Sequence, residues 1–282
     1  MGRFSEILLA SDFDRTLTDR NSKIPQANLD AISEFEREGG AFTVATGRSV
    51  PMYRSWYLQI PTNAPLVLYN GAALYDYQTQ MLTDAVAIPN GLALLQDVTE
   101  RFPELFAELQ GTDCHYLIGA CTMREAFYRS NHAAAKQATL AGLPEQMLKI
   151  ALFGTFYDDT VRQFFSCTEE ERVFFDRVVT YLKTTYGDTV TVDRAAPRII
   201  DIQAKQVNKG AAARTLAKRM GRKLLVCAGD AQNDLSMLHE ADLAYVPSDC
   251  EPALLEHGFT AVCPCDDGTI AGVIRQLKER FG

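Results

Sequence analysis

An α/β fold, a Rossmann-like parallel-sheet core interrupted by an inserted α+β module, is what this sequence predicts, and three observations carry that reading. Short apolar runs alternate with amphipathic stretches towards both ends of the chain and lose that rhythm in the middle. The first run, Ile7-Leu8-Leu9-Ala10-Ser11, delivers two carboxylates, Asp12 and Asp14, to its end. Polar clusters of complementary chemistry close further runs on both sides of the interruption. Strands that alternate with helices build parallel sheets, and such sheets gather ligands at the carboxyl ends of their strands.

Taken in order, Ile7–Ser11 is apolar almost throughout and reads as a buried strand. Residues 27–38 carry Leu29, Ile32 and Phe35 at helical spacing and stop at Gly39-Gly40. Ala41–Ala45 is a second strand, ending at Thr46-Gly47-Arg48, and Leu66–Tyr69 a third, ending at Asn70-Gly71. The rhythm then changes: Ala73–Tyr77 and Met81–Ile88, joined by Gln78-Thr79-Gln80, suit a hairpin. A helix near 91–101 and strands at His115–Ile118 and Lys149–Phe153 follow. Helix 169–185 has Val173, Val178 or Val179, Leu182 and Tyr186 in phase, and strands Thr189–Asp193 and Ile199–Gln203 come after it. Alternation returns beyond about residue 205. Helix 209–220 buries Ala212, Leu216 and Met220, and strand Lys223–Cys227 runs to Ala228-Gly229-Asp230. Helix 234–240 and strands Leu243–Val246 and Thr260–Cys263 lead to a last helix, 268–280, with Ile270, Val273, Ile274 and Leu277 on its inner face. The predicted layout is a core in two parts, 1–83 and 197–282, with the α+β module at 84–196.

The bulk properties narrow the function. The 282 residues include 36 Asp and Glu against 28 Lys and Arg, a formal charge of −8, and no basic run of the kind that tracks a phosphate backbone. Nucleic acid is therefore not expected as a partner, while a small phosphorylated molecule still suits a locally positive site. No apolar stretch reaches the length of a membrane span, and no signal-peptide pattern precedes the first strand, so a cytoplasmic protein is expected. The seven cysteines are scattered and odd in number, and Cys263-Pro264-Cys265 has no second pair to complete a zinc site. Reduced thiols follow from that pattern.

Four strand-end clusters fall on the predicted core: Asp12/Asp14, Thr46-Gly47-Arg48, Lys209, and Asp230/Asn233/Asp234. Asp12, Asp14 and Asp230 offer hard oxygens suited to magnesium. Thr46 and the Gly47 amide offer uncharged donors to an anion, and Lys209 adds a compact positive charge. A lysine opening a helix stands at the wrong end of the helix dipole, which points to an anionic partner. The set suits phosphoryl transfer: a carboxylate attacks phosphorus, a metal neutralises the approaching charges, and a second acid protonates the leaving oxygen.

The motifs resemble, in order, those of haloacid-dehalogenase-superfamily phosphohydrolases of the Cof-like branch. Asp12-Phe13-Asp14-Arg15-Thr16-Leu17, Thr46-Gly47-Arg48, Asn208-Lys209-Gly210 and Gly229-Asp230-Ala231-Gln232-Asn233-Asp234 carry the resemblance, and Asn70-Gly71-Ala72 and Asp267-Gly268 extend it. The family's cap of this type lies between the second and third motifs, where the rhythm breaks here. The resemblance implies Asp12 as nucleophile, Asp14 as general acid/base, and magnesium held by Asp12, the Asp14 carbonyl and Asp230. It implies Thr46, Gly47, Lys209 and Asn233 as phosphate contacts, with Asp234 orienting Lys209 or a metal-bound water. Asn70, Gly71 and Arg48 are implied at the substrate entrance or behind it. A magnesium-dependent phosphatase for a small phosphomonoester, foremost a sugar phosphate, is the reading. A phosphomutase using the same nucleophile and a non-catalytic phosphosugar-binding regulator are the alternatives.

Two departures stand out. Arg15 occupies the position where the family usually has glycine, and it either reaches a substrate anion or points to solvent. Val246-Pro247-Ser248-Asp249-Cys250 differs from the glycine- and asparagine-bearing loop typical there. Elsewhere, His115, His132, His239 and His257 lack ligand spacing and read as structural or surface groups. Phe164, Phe165, Phe174 and Phe175 read as core of the inserted module, and Arg124, Arg129, Arg194 and Arg198 are candidate substrate contacts.

Overall fold

The computed structural model describes residues 2–119, 122–154 and 167–282, and the chain divides into two compact units. Over the described residues, one unit comprises Met1–Arg48, Trp56–Asp84 and Asn208–Gly282, and the other Ser49–Ser55 and Ala85–Val207.

The first unit begins with β1 (Ile7–Ser11), α1 (Gln26–Arg37), β2 (Ala41–Val44) and the end of α2 (Val50–Tyr57). The short strands β3 (Leu66–Leu68), β4 (Ala73–Asp76) and β5 (Met81–Thr83) make a separate antiparallel sheet. A parallel bridge, Ala45 to Val67, with the Thr46 amide donating to the Val67 carbonyl at 2.8 Å, links it to the strand before it. The third apolar run thus touches the edge of the parallel sheet and continues into a hairpin.

The second unit contains α3 (Gly91–Arg101), β6 (Leu105–Gln110), β7 (His115–Ile118), α4 (Thr122–Ser130), β8 (Ala135–Gln137) and β9 (Ile150–Gly154). It continues with α5 (Glu169–Tyr186), β10 (Val190–Ala196) and β11 (Ile199–Ala204). Its sheet runs β10-β11-β9-β6-β7-β8, antiparallel except at the β7–β8 pair. On one face, Leu94, Leu95 and Val98 of α3 and Phe175, Val178 and Leu182 of α5 pack on Ile150, Leu152, Ile200 and Ile202. Thr168 opens α5 with a reciprocal cap: its hydroxyl accepts from the Glu171 amide at 3.2 Å, and the Glu171 carboxylate accepts from the Thr168 amide at 2.7 Å.

The chain returns to the first unit with α6 (Lys209–Arg219), β12 (Leu224–Ala228), α7 (Leu235–Glu240), β13 (Leu243–Pro247), α8 (Pro252–Leu255), β14 (Thr260–Val262) and α9 (Thr269–Phe281). The strand order is β14-β13-β12-β1-β2, parallel throughout. Because β1 pairs with both β2 and β12, Ser11 lies level with Val44 and Ala228, so the turns after all three strands emerge at one edge. That shared edge assembles the site.

Several sequence expectations shift at element level. The strand Ile199–Ala204 pairs with β9 and β10, so the returning core segment begins at Asn208 and not near 197. Leu105–Gln110 is an unanticipated strand because Glu108 interrupts its apolar pattern, yet Glu108 is fully buried. In α5 Val173 is 56% exposed, since Phe174 and Phe175 take the inward face. In α6 the buried set is Ala213, Leu216 and Ala217, with Ala212 and Met220 only half-buried. Phe164, Phe165 and Cys121 lie outside the described residues. Asn28 on α1, an unremarked polar residue, is fully buried; it donates to the Leu17 carbonyl and accepts from the Ala271 amide, each at 2.9 Å, tying α1 to α9. No helix among the described residues is long and apolar enough to cross a membrane.

Candidate active site

Asp12 is the first residue past β1, and its amide continues the ladder by donating to the Ala228 carbonyl at 2.8 Å. Its side chain is buried. Lys209, at the start of α6 and 1% exposed, donates from Nζ to Asp12 Oδ1 at 2.5 Å and to Asp234 Oδ1 at 2.7 Å. The cation at the wrong end of its helix dipole is therefore held by two carboxylates. Burial alone would lower the pKa of Lys209, but Asp12 and Asp234 hold it above the ordinary lysine value.

Asp234 is fully committed. Oδ2 accepts from the Asp230 and Ala231 amides at 3.1 and 3.2 Å, which closes the turn after β12. Gly229 makes that turn possible, because a Cβ there would lie 2.5 Å from the Asp234 Cβ. Asp230 itself is less engaged: Thr16 Oγ1 donates to its Oδ1 at 3.3 Å, and Arg15 Nε stands 3.9 Å from its Oδ2. Burial and then the Asp234 charge push the Asp230 carboxyl up to about 7. The same two causes push Asp12 well above the usual carboxylate range, against the pull of Lys209.

The turn after β1 explains the arginine in place of glycine. Arg15 sits at φ 59, ψ 11, in the left-handed region that glycine enters most easily. Its side chain is 56% exposed and aims outward, with Nη2 donating to the Asp249 carbonyl at 3.4 Å. Thr18 steadies the turn by accepting from the Arg15 amide at 3.1 Å. Asp249, in the loop that departs from the family pattern, accepts from the Cys265 amide at 2.9 Å, while the Glu251 amide donates to the Asp230 carbonyl at 2.9 Å.

Asp14 is half-exposed and faces Arg48, which donates from Nη2 to Oδ1 at 2.7 Å and from Nε to Oδ2 at 3.1 Å. The Arg48 guanidinium also lies 4.7 Å from the Phe13 ring centroid, and Phe13 meets Trp56 edge-on at 5.2 Å. A bidentate pair stacked on an aromatic face is a well-fixed arrangement.

Thr46 is buried, and its hydroxyl accepts from the Arg48 amide at 3.2 Å, leaving the hydroxyl proton to donate elsewhere. The Asn70 amide donates to the Thr46 carbonyl at 3.0 Å. A Cβ on Gly47 would lie 2.6 Å from Asn70 Oδ1, and one on Gly71 would lie 2.3 Å from the Asn208 carbonyl. Gly47 thus makes room for the Asn70 side chain, and Gly71 brings its backbone against the start of α6, where the Asn208 side chain caps the Ala211 amide at 2.7 Å. Asn233 is exposed on the turn before α7.

Asp12, Asp230 and Asp234 present carboxylate oxygens within 4.8 Å of one another, all buried. Against three acids stands one buried cation, Lys209, and two of the acids carry raised pKa values, so the donor set fits a divalent cation. Asp234 already accepts from Lys209 and two amides, whereas Asp12 accepts from Lys209 and Asp230 from Thr16. Thr16, whose hydroxyl supports Asp230, was not singled out from sequence; its only signal was membership of the first motif.

The candidate arginines and histidines of the inserted module resolve differently. Arg124 is buried and paired with Glu108, through Nε at 3.0 Å and Nη2 at 2.8 Å, so it is not available to a substrate. Arg194 pairs with Asp176 at 2.5 Å and Arg198 with Glu171 at 2.7 Å, whereas Arg129 is exposed. His115 is fully buried, while His239 and His257 lie on the surface with ring centroids 5.1 Å apart.

The profile of the haloacid dehalogenase-like hydrolases matches residues 9–268. This chain belongs to that family. Among its relatives, the M6_Spy0533 protein of Streptococcus pyogenes serotype M6 is 23% identical over 279 residues, covering 95% of this chain and 97% of its own. The 5-amino-6-(5-phospho-D-ribitylamino)uracil phosphatase YitU of Bacillus subtilis is 25% identical over 298 residues, 97% of each chain. A solved haloacid dehalogenase-like hydrolase from Bacteroides thetaiotaomicron superposes with a TM-score of 0.80 at 17% identity, covering 96% of this chain and 98% of its own. The HAD subclass IIB sugar phosphatase BT4131 does so with a TM-score of 0.73 at 19% identity, covering 97% and 98%. The hydrolase thus shares its fold with these two solved structures.

Proposed function

We propose that this hydrolase is a magnesium-dependent phosphatase of small phosphomonoesters, foremost sugar phosphates, acting through an aspartyl-phosphate on Asp12. The observation that carries the reading is the buried cluster at the sheet edge: Asp12 with Lys209 at 2.5 Å and Asp230 within 4.8 Å. The names of relatives support it, since YitU acts on a phosphorylated ribitylamino compound and BT4131 is a sugar phosphatase.

Lys209 occupies Asp12 Oδ1, which leaves Oδ2 as the oxygen that attacks phosphorus. Two of the three ammonium protons of Lys209 go to Asp12 and Asp234, and the third is free for a phosphate oxygen. The Thr46 hydroxyl proton and the Gly47 amide supply neutral donors to the same group. Magnesium, held by Asp12, Asp230 and the Asp14 carbonyl, would neutralise repulsion between the Asp12 carboxylate and the phosphate dianion. Asp14 protonates the departing alkoxide and then, as carboxylate, takes a proton from the water that opens the acyl phosphate. Asn233, Asn70 and Gly71 line the approach. Free thiols at six described cysteines support a cytoplasmic setting.

The test is free-phosphate release from a panel of phosphorylated sugars, polyols and p-nitrophenyl phosphate with magnesium present. Turnover of several monoesters, abolished in Asp12→Asn, is the expected result. A panel with no release from any member would overturn the reading, and an isomeric product without free phosphate would favour a mutase.

A further inference from the structure

Asp230 offers its carboxylate to the acid cluster from a tight turn, and two other carboxylates hold that turn. Asp234 Oδ2 accepts from the Asp230 and Ala231 amides at 3.1 and 3.2 Å, while its Oδ1 accepts from Lys209 at 2.7 Å. The Asp234 amide donates to the Ala231 carbonyl at 2.9 Å and closes one turn of 3₁₀ helix over Gln232–Asp234. Two backbone groups of the turn take no part in these bonds: the Asp230 carbonyl and the Gln232 amide.

Both go to a single residue. Glu251, immediately before α8, donates its amide to the Asp230 carbonyl at 2.9 Å, and its Oε2 accepts from the Gln232 amide at 3.0 Å. It therefore grips the turn twice, once through its backbone and once through its side chain. Glu251 is itself anchored: its carbonyl accepts from the Leu254 amide at 2.9 Å, and the Cys250 amide donates to the Pro247 carbonyl at 3.1 Å. Cys250 and Leu254, on either side of it, are buried in the cluster that contains Leu225, Cys227, Met237 and Val246. Asp230, Gln232, Asp234 and Glu251 all belong to the first unit, so the clamp lies wholly within it.

Resting on the magnesium reading above, we infer that Glu251 is a positioning residue for Asp230, its side chain fixing the turn that presents this carboxylate to the cation. A turn tied through two amides to one side chain keeps rotation about that tie; a second tie, made to different groups, removes it. Magnesium is exacting about such rotation, since it takes oxygen ligands at about 2.0–2.1 Å in near-ideal octahedral geometry. A different role, attraction of the cation by the Glu251 charge, separates from positioning in Glu251→Gln, which keeps an oxygen to accept from the Gln232 amide but carries no charge.

Isothermal titration of the full-length protein with magnesium chloride reads the effect. Glu251→Ala is expected to weaken magnesium binding by about three- to tenfold, as loss of a group supporting a metal ligand does, while Glu251→Gln stays within about twofold of wild type. In p-nitrophenyl phosphate hydrolysis, Glu251→Ala should need correspondingly more magnesium for half-maximal rate, with kcat at saturating magnesium within about threefold. Gln232→Pro removes the same bond from the donor side. Gln232 opens its helical turn after extended Ala231 (φ −134°, ψ 167°), a place where proline fits. It should match Glu251→Ala, and the double variant should fall no further than either, because one bond is broken once. Glu251 and Gln232 are both exposed, so neither change opens a cavity; should Glu251→Ala not fold, Gln232→Pro carries the test. In chelator, deuterium exchange at the Gln232 amide should be at least about tenfold faster in Glu251→Ala than in wild type.

Unchanged magnesium affinity in folded Glu251→Ala overturns the inference, even where the melting temperature falls, because the bond then only stabilises the turn. An equal loss in Glu251→Gln overturns it by making the charge the cause, and an unchanged Gln232 exchange rate overturns the clamp itself. A wild-type protein that neither binds magnesium nor releases phosphate overturns the phosphatase reading and the clamp with it, whereas wild-type binding matched by Glu251→Ala overturns the clamp alone.

Discussion

Two buried carboxylate clusters, one in each unit of this hydrolase, obey opposite charge arithmetic. In the sheet-edge cluster Asp12, Asp230 and Asp234 share one buried cation, Lys209, and both Asp12 and Asp230 have raised pKa values. In the β6 cluster Glu108 alone faces Arg124, His115 and Tyr128, and its pKa is lowered to about 2. Burial opposes ionisation in both places, so the difference comes from the partners. The Glu108 carboxylate is matched by Arg124 beside it; the Asp12 cluster sets three acids against one buried cation, which suits the proposed magnesium site.

The largest effect that sharpens this contrast is on catalysis. Asp12→Asn is expected to reduce kcat at least about 10⁴-fold, as loss of a nucleophile does, while the melting temperature of the metal-free protein rises because one uncompensated charge is gone. Assay by phosphate release and a thermal scan in chelator checks both; a fall in metal-free stability would break the comparison. Glu108→Gln, by contrast, is expected to lower unfolding free energy by about 3–5 kcal/mol, because buried Arg124 loses the carboxylate that balances its charge. Urea denaturation reads that change.

The pH dependences should have opposite signs. Asp230 has a folded pKa of about 7 against 3.8 for the free group, so its contribution is complete below pH 3.8 and is lost as pH rises through about 7. In chelator, the wild-type protein should lose up to about 4 kcal/mol across that window relative to Asp230→Asn. Glu108 contributes above pH 4.5 and loses its contribution as pH falls through about 2, roughly 3 kcal/mol at most. Magnesium should raise the melting temperature, and more so at pH 8 than at pH 6, where protons compete for the same carboxylates. An equal rise at both values would disconnect the metal from the acid cluster.

The smallest expected effect is at Arg15. Arg15→Gly relieves a left-handed backbone worth about 1 kcal/mol and removes a cation 3.9 Å from Asp230. Activity within about threefold of wild type and slightly tighter magnesium binding are expected, since an exposed ion pair contributes little. Isothermal titration with magnesium measures the second; a tenfold loss of activity would make Arg15 a substrate contact.

Much of the candidate site was legible because its residues stand at strand ends and helix starts, where apolar periodicity breaks. Asp12, Thr46, Lys209 and Asp230 could each be located by where a run stops, and parallel pairing brings their turns to one edge. What was not legible involves partners distant in sequence. Nothing local marks Arg48 as the partner of Asp14, 34 residues earlier, or Glu108 as a buried acid. Glu108 even concealed its strand, since a charge in an apolar pattern reads as surface. Arg124 looked like a candidate substrate contact for the same reason: sequence shows a charge but not its counter-charge.

The amino-acid sequence by itself determined the α/β alternation, its interruption, and the identity and order of the chemical groups, because hydrophobic periodicity and turn chemistry are local properties. Only the tertiary structure decided which charges are neutralised. Two amides and Lys209 bind Asp234, Arg48 pairs with Asp14 and Arg124 with Glu108, while Asp12 and Asp230 keep raised pKa values. Coulomb energies in a buried setting depend on distances of a few ångström between residues far apart along the chain, and those distances exist only once the sheet has formed.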